Sequence, residues 1–378
     1  MGDSVHAPDC FVTHLLGGPC HICAHRYFPL RAAVAGLALL CDRLFGVTLR
    51  DAPLAPGEAW APGVRKLAAH HPGEGPLGCV YLDLRPRRHK FPGAAHFVIR
   101  AGRSGGDATR QLARMALVAS LGGPRSDGGA GATDNDDGVL LSHAEVELLF
   151  HEAGHALHSL LSRTSYQHLS GTRGAQDCVE APSTLLERFA WHPDALRAWA
   201  RHPTSGDPIP RQLVQALRAS RAAFAATDSL QQLVHAAADL ALHGAAGGAP
   251  PRTPAQAAAL AAGALAAHTP WPPEPDASAR GAGEARFGHV VGYGSTYYAY
   301  AYGVALSGAA WRALELEDDP LAPAAGGRLW RHVLRPGGSA DPAEAFAALL
   351  GPDALRPLAG GWAPDAGAAL RDVLHGRA

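Results

Sequence analysis

The residues best suited to chemistry in this 378-residue chain are His151-Glu152-Ala153-Gly154-His155. On a helix, side chains four residues apart project from the same face, so both imidazoles can bind one Zn²⁺. Glu152 lies beside the first histidine, where its carboxylate can take a proton from water without binding the metal. The spacing therefore predicts a metal-dependent hydrolytic site with His151 and His155 as ligands and Glu152 as general base.

A third ligand is predicted in the segment that runs from Asp177 to Glu187. The pattern indicates a second helix, on which Glu180 and Glu187 lie two turns apart on one side. Two histidine nitrogens and the Glu180 carboxylate leave the fourth tetrahedral position to water, as in catalytic rather than structural zinc sites. Asp177 or Glu187 could accept the remaining N–H of a ligand histidine. His158 is interpreted as a neighbour rather than a fourth ligand, because ligation would displace the water.

A helix must position these side chains, and the sequence marks where it begins. Ser142 and Glu145 have the capping-box spacing, and an apolar run follows them. The apolar stripe continues past the motif to Leu157 and Leu161. A buried helix face that carries two histidines and a glutamate must pair or ligate them, because unpaired polar groups in an apolar setting cost several kcal/mol.

The rest of the chain predicts a mainly α fold with a small β-sheet. Residues 27–48 have a helical pattern, and alanine-rich helices are expected between 207 and 268. Runs with strand character lie at 79–84, 95–99 and 111–118.

Two segments rich in glycine are predicted to be flexible loops. They span 122–138 and 270–283, and the second precedes a cluster of tyrosines, where it could act as a hinge.

Composition argues against two classes of partner. The net charge is −1 and no basic stripe is present, so nucleic acid is not expected as a partner. No apolar run reaches the length of a membrane span, so no membrane association is expected.

The six cysteines are interpreted as free thiols of a reducing compartment. The alternative is a zinc knuckle formed by Cys20, Cys23 and His25, with Cys10 and His14 nearby. A second cysteine pair at finger-like spacing is missing, which favours the first interpretation.

Several segments of the chain resemble the thimet oligopeptidase family of zinc metallopeptidases. The stretch from Leu149 to Ser159 and the stretch from Ser162 to Arg173 carry the strongest likeness, which is greatest to the mitochondrial branch of the family. Further matching segments lie at 44–47, 57–60, 78–84, 289–300 and 337–342. The resemblance covers approximately residues 27–350.

The resemblance implies a zincin-like fold and one Zn²⁺ per chain, with the ligands and base already predicted. It adds three catalytic residues that line the cleft opposite the zinc: His289, Tyr293 and Tyr300. A phenol or an imidazole N–H there could donate to the carbonyl oxygen on which peptide hydrolysis builds negative charge. The competing interpretation is an aromatic surface of a helix or strand. Because four of the eight tyrosines cluster at 297–302 among glycines, a functional role is favoured.

By resemblance, the chain is a zinc-dependent metalloendopeptidase that hydrolyses short peptides. Its implied role is the removal of N-terminal octapeptides from imported precursor proteins in the mitochondrial matrix. One alternative is a general oligopeptidase of an organelle or the cytosol. The other is a truncated zinc-binding remnant with impaired catalysis.

Members of the family are much longer than this chain, and the likeness begins near Tyr27. The resemblance therefore predicts a catalytic domain over 27–378, an unassigned segment over 1–26 and the absence of the family's N-terminal helical domain. A separate N-terminal half is a candidate partner. Because residues 1–26 lack the pattern of a transit peptide, the mitochondrial location follows from resemblance alone, and a cytoplasmic location is the alternative.

Overall fold

A computed structural model describes residues 24–104, 110–123, 138–244, 250–251, 253–270, 288–358 and 361–374. The fold is mainly α with a small mixed sheet, as the sequence predicts. The interior of both predicted flexible loops lies outside the described residues, and so do four of the five residues considered for a zinc knuckle: Cys10, His14, Cys20 and Cys23.

The helices and strands follow one another in an order that places the sheet before most of the helices. The α-helices are α1 (Leu30–Phe45), α2 (His143–Leu161), α3 (Ala181–Phe189), α4 (Pro193–Trp199), α5 (Arg211–Leu242), α6 (Pro254–His268), α7 (Gly288–Gly292), α8 (Tyr298–Ala313), α9 (Pro323–Leu329), α10 (Pro342–Leu350) and α11 (Ala366–Leu374). The strands are β1 (Thr48–Asp51), β2 (Arg65–His71), β3 (Gly75–Asp83), β4 (Ala95–Arg100), β5 (Ala113–Val118), β6 (Leu355–Leu358) and β7 (Gly361–Pro364).

The predicted first helix is confirmed, with shorter bounds. Helix α1 starts after Pro29 and ends at Gly46, which has φ +64° and donates its N–H to the carbonyl of Asp42. A left-handed residue at this position ends a helix, and glycine adopts that conformation without steric cost.

The main sheet has the strand order β1-β2-β3-β5-β4. All neighbouring pairs are antiparallel except β3 and β5, which are parallel. Strand β5 begins at Ala113 rather than at Gln111, because Gln111 instead forms an isolated bridge with Arg103. Strand β4 lies at an edge of the sheet, on the side that faces the candidate site.

One large hydrophobic core packs between this sheet and helices α1 and α2. Its fully buried side chains include Phe28, Leu40, Leu117, Leu149 and Phe150. Burial of apolar area at about 25 cal/mol per Å² is the main stabilising contribution to such a core. Helix α2 therefore lies against the main hydrophobic core.

The predicted start of α2 is confirmed in detail. The Ser142 hydroxyl accepts a hydrogen bond from the backbone N–H of Glu145, and the Glu145 carboxylate accepts one from the Ser142 N–H at 2.7 Å. This capping box satisfies N–H groups that the first turn of a helix leaves unpaired.

The helices of the C-terminal half are less buried. Among the 32 residues of α5, only six are buried, three near each end, and none of the described residues of α6 is buried. No helix in the described ranges combines the length and apolar character needed to cross a membrane.

Candidate functional site

Helix α2 presents His151, Glu152 and His155 from its middle turns, and a glycine between them allows a second helix to approach. A Cβ at Gly154 would lie 2.5 Å from the Cα of Ser183, which is closer than Cβ atoms approach other heavy atoms in proteins. The close approach of α3 brings the residue before it, Glu180, against both histidines.

The three predicted ligands converge on one point. The Nε2 atoms of His151 and His155 both lie 3.3 Å from the same Glu180 oxygen, Oε2. Two ligand atoms about 2 Å from one tetrahedral ion lie about 3.3 Å apart. Within the described chain, these residues form the cluster whose donor atoms could hold a metal ion, and the set of two imidazoles and one carboxylate suits zinc. The residues present therefore fit the metal.

The other nitrogen of His151 has a carboxylate partner. Its Nδ1 lies 2.5 Å from Oε1 of Glu187, one of the two acids that the sequence suggested for this role. Burial lowers the pKa of His151, but the carboxylates of Glu180 and Glu187 outweigh that effect and raise the pKa to about 10. The other suggested acid, Asp177, lies in a short 3₁₀ turn and interacts with the thiol of Cys178.

Glu152 is 7% exposed and faces the same cleft as the ligands. Burial raises the pKa of its carboxyl, although the neighbouring His151 and His155 oppose the shift. A general base works best when its pKa is close to the pH at which it operates, and for a carboxyl this means an upward shift.

His158 lies on α2 one turn after His155 and is buried, with neither ring nitrogen hydrogen-bonded to any part of the described chain. Burial lowers its pKa to about 3, and the charge of His155 adds to the shift, so the ring is neutral. It is not part of the metal-binding cluster among the described residues.

The opposite wall of the cleft consists of α7, the turn that follows it and the start of α8. The His289 ring lies 5.5 Å from the Tyr293 ring and 5.7 Å from the Tyr300 ring, measured between centroids. A Cβ at Gly303 would lie 2.9 Å from the Cβ of Glu180, so α8 can approach Glu180 only because residue 303 is a glycine.

The hydroxyl of Tyr300 is in an environment that keeps it protonated. Burial raises its pKa, and the negative charge of Glu180 adds to the shift, so that the pKa reaches about 12. A protonated phenol can donate a hydrogen bond to an oxygen that becomes negative during a reaction.

All seven predicted site residues line one cleft of about 460 Å³. They are joined there by residues of strand β4 and the loop before it. The lining comprises Phe91, Ala94, Ala95, His96, His151, Glu152, His155, Thr172, Gln176, Val179, Glu180, His289, Tyr293, Thr296, Ala299 and Tyr300.

Sequence reasoning missed His96. Its ring lies 6.1 Å from that of His155, its Nε2 lies 3.3 Å from the Ser159 hydroxyl, and burial lowers its pKa to about 3. The residue is brought to the site by the position of β4 at the sheet edge, which no local spacing reveals.

A second, apolar cavity of about 770 Å³ adjoins the cleft. Its lining includes His151 and Glu187, the apolar residues Leu233, Ala363 and Leu370, and the tyrosines of α8. His151, His289 and Tyr300 line both this cavity and the cleft.

Comparison with known proteins finds one peptidase family and several relatives that share one name. Residues 22–356 match the profile of Peptidase family M3. The mitochondrial intermediate peptidase of Arabidopsis thaliana is 42% identical over 329 residues, which cover 87% of this chain and 44% of that protein. The human protein of the same name is 37% identical over 84% of this chain and 42% of its own length. The Aspergillus clavatus protein is 32% identical over 92% and 46%, so the chain spans less than half the length of these relatives.

Proposed function

The chain belongs to Peptidase family M3, and on this premise we propose that it carries a zinc-dependent peptidase centre. His151, His155 and Glu180 hold one Zn²⁺, and the domain that contains them spans 27–378 with a zincin-like fold. The observation that carries the proposal is the 3.3 Å separation of both imidazole Nε2 atoms from one Glu180 oxygen. When Zn²⁺ is bound there, it polarises a peptide carbonyl and makes water a stronger nucleophile at neutral pH.

Glu152 acts as general base and then as general acid. Its carboxylate takes a proton from the attacking water and gives it to the leaving amine nitrogen when the peptide bond breaks. Its burial, which raises the pKa, supports this role because the group must both accept and release a proton near neutral pH.

Glu187 holds the ring of His151. A carboxylate that accepts the Nδ1–H of a ligand histidine fixes which nitrogen faces the metal and makes that nitrogen a better donor. The 2.5 Å distance between His151 Nδ1 and Glu187 Oε1 supports this role.

His289, Tyr293 and Tyr300 stabilise the negative charge that develops on the former carbonyl oxygen. They donate from the wall opposite the metal ligands, and the raised pKa of Tyr300 keeps its proton in place. Donors fixed before the reaction contribute because they need no reorganisation as the charge develops.

Peptide substrates bind along strand β4. The strand is at the sheet edge, and Ala94, Ala95 and His96 line the cleft, so an extended peptide can add to it through backbone hydrogen bonds. The apolar cavity next to His151 accepts an apolar side chain of the same peptide.

Within this class of substrate, we propose that the physiological substrates are imported precursor proteins. The enzyme removes an N-terminal octapeptide from each of them in the mitochondrial matrix. The relatives named mitochondrial intermediate peptidase support this choice. General oligopeptidase activity would differ in showing no requirement for the sequence of the peptide.

The experiment combines metal analysis with peptide cleavage. We expect one zinc per purified chain, loss of that zinc in Glu180→Gln, and retention in the matched control Asp177→Asn. With zinc bound, the chain should cleave a precursor peptide at the octapeptide boundary, and a peptide of shuffled sequence should be cleaved much more slowly. Full zinc occupancy in Glu180→Gln would refute the third ligand, and equal cleavage of both peptides would favour the general oligopeptidase.

A further inference from the structure

The wall of the cleft that carries the tyrosines depends on a buried carboxylate that no motif predicts. Asp239 lies on α5, is fully buried, and accepts hydrogen bonds from two backbone N–H groups of the turn between α7 and α8. Its Oδ1 accepts from Ser295 at 3.0 Å, and its Oδ2 accepts from Tyr297 at 2.9 Å. The two bonds join positions 56 and 58 residues apart in the chain.

The turn that Asp239 binds is strained. Ser295 has φ +64°, a left-handed conformation that residues other than glycine seldom adopt and that neighbouring contacts must maintain. A charged acceptor forms stronger hydrogen bonds to backbone N–H groups than a neutral one does, and burial strengthens them further. The carboxylate is thus suited to hold an unfavourable backbone conformation.

A side chain on the same face of α5 and the residue that follows this helix also contact the turn. Gln232, two turns before Asp239, accepts a hydrogen bond from the Tyr297 hydroxyl at 2.8 Å. One turn after Asp239, the Nδ1 of His243 lies 2.9 Å from the Asp239 Oδ1. A Cβ at Gly294 would lie 2.2 Å from the His243 Nε2, so the turn lies directly against this ring.

The residues held in this way are those that face the metal ligands. The Tyr297 ring lies 4.7 Å from the His289 ring and 5.1 Å from the Tyr300 ring, between centroids. A displacement of the Tyr297 backbone therefore moves the whole aromatic group relative to Glu180.

We propose that Asp239 is a positioning residue: by binding the backbone of Ser295 and Tyr297, it sets where His289, Tyr293 and Tyr300 stand against the metal ligands. Asp239 touches neither substrate nor metal and acts through the turn. The role in hydrolysis rests on the proposed function, whereas the attachment of the turn to α5 does not.

The first test is Asp239→Asn, which keeps the shape but places an amide N–H₂ against one of the two backbone donors. We expect the amide hydrogens of Ser295 and Tyr297 to exchange about tenfold faster or more, while those of α2 keep their rates. Zinc content should not change. The matched control is Asp228→Asn, because Asp228 is the other acid of α5 and is exposed.

The kinetic readout separates positioning from a merely structural role. In Asp239→Asn, kcat should fall about 10–100-fold, as when reacting groups are displaced by about 1 Å, with KM changed less than about threefold. Asp239→Ala, which leaves both donors without an acceptor, should lower kcat further. Unchanged exchange at 295–297 would overturn the proposal, as would loss of zinc together with faster exchange throughout α2.

A second variant perturbs the same contact from the other side. Gly294→Ala places a methyl group against His243 and should push the turn away from α5, with faster exchange at Ser295 and Tyr297. The control is Gly292→Ala, because a Cβ there meets no atom within 4 Å. Equal exchange in the two alanine variants would count against the proposal even if Asp239→Asn did not fold.

The outcomes also separate this proposal from the proposed function. A parent chain that binds zinc but hydrolyses no peptide would refute the function, while the exchange rates would still decide whether Asp239 holds the turn. Faster exchange in Asp239→Asn with unchanged kcat would refute the positioning role and leave the proposed function in place.

Discussion

The two walls of the cleft are held in different ways. Helix α2 carries two of the predicted ligands and buries 13 of its 19 residues, eight of them in the main core, and α3 packs closely on it through Gly154. In the opposite wall, α8 buries eight of its 16 residues, but α7 has no buried residue, and the helix to which the turn is attached, α5, buries only six of 32. Packing fixes the first wall, and polar contacts to the buried Asp239 fix much of the second.

This difference gives each wall its own expected response to substitution. When a side chain on a packed helix is substituted, the helix keeps its position. The loss of activity then measures only the missing functional group. A side chain on a turn held by hydrogen bonds depends on both its own chemistry and those bonds. Substitutions can therefore show whether the walls are as different in function as they are in packing.

The largest effect is expected for Glu152→Gln on the packed wall. The amide cannot take a proton, so hydrolysis should fall about 10²–10⁴-fold, while zinc occupancy should stay at the level of the parent chain. Glu147→Gln, on the same helix but outside the cleft, serves as control and should retain most activity. Hydrolysis by Glu152→Gln at a rate near that of the parent would rule out Glu152 as base.

The next effect concerns the opposite wall. Tyr300→Phe should lower kcat about 10²–10³-fold with little change in KM, because a donor to the developing oxyanion is lost. Tyr27→Phe, outside the cleft, should change neither constant. If instead KM rises and kcat stays constant, Tyr300 positions the substrate and does not stabilise the transition state.

A smaller effect should come from the residue behind His151. Glu187→Gln should weaken zinc binding about 10–100-fold, the usual cost of losing an outer partner of a ligand histidine. A competition titration with a chelator of known zinc affinity measures it, with Asp177→Asn as control. Equal zinc affinity in both variants would show that packing alone orients the His151 ring.

The comparison also explains what sequence could predict. The pairing of Glu180 with both histidines joins positions 25 or more residues apart, and the ligand set of a catalytic zinc site predicts it. The capping box at Ser142, the helix that follows it and the shared face of His151 and His155 depend on spacings of a few residues, and the structure has all three. Periodicity defines these because a helix repeats every 3.6 residues. Their roles in binding and catalysis stay predictions until variants are measured.

Asp239 and His96 could not be found in this way. Asp239 reaches Ser295 across 56 residues, and His96 depends on β4 being the sheet edge, so both result from tertiary packing. The sequence does contain a weak indication of Asp239. In the apolar run from Leu233 to Leu242, Asp239 and His235 are the two polar residues, and Asp239 is the acid. An acid in such a run must be paired if it is buried, but the sequence does not say with what.

The smallest predicted effect tests how firmly the packed wall is held. Arg163, just after α2, donates to Oε2 of Glu74 at 3.0 Å, and Arg335 donates to Oε1 at 2.8 Å. The guanidinium of Arg335 lowers the pKa of Glu74 to about 2, with Arg163 acting in the same direction and burial opposing both. These ion pairs connect the end of α2 to the turn between β2 and β3.

The pH at which this contribution disappears follows from the direction of the shift. Because the pKa of Glu74 is lower in the folded chain than its ordinary value of 4.5, the ion pairs stabilise fully above that pH and lose their effect as the pH falls towards 2. Glu74→Gln should lower the free energy of unfolding by about 1–2 kcal/mol at pH 7, and the difference from the parent should shrink below pH 4.5. Urea unfolding of both proteins without metal, with the exposed Glu315→Gln as control, measures it. A difference that stays constant down to the lowest pH would mean that Glu74 contributes through packing and not through its charge.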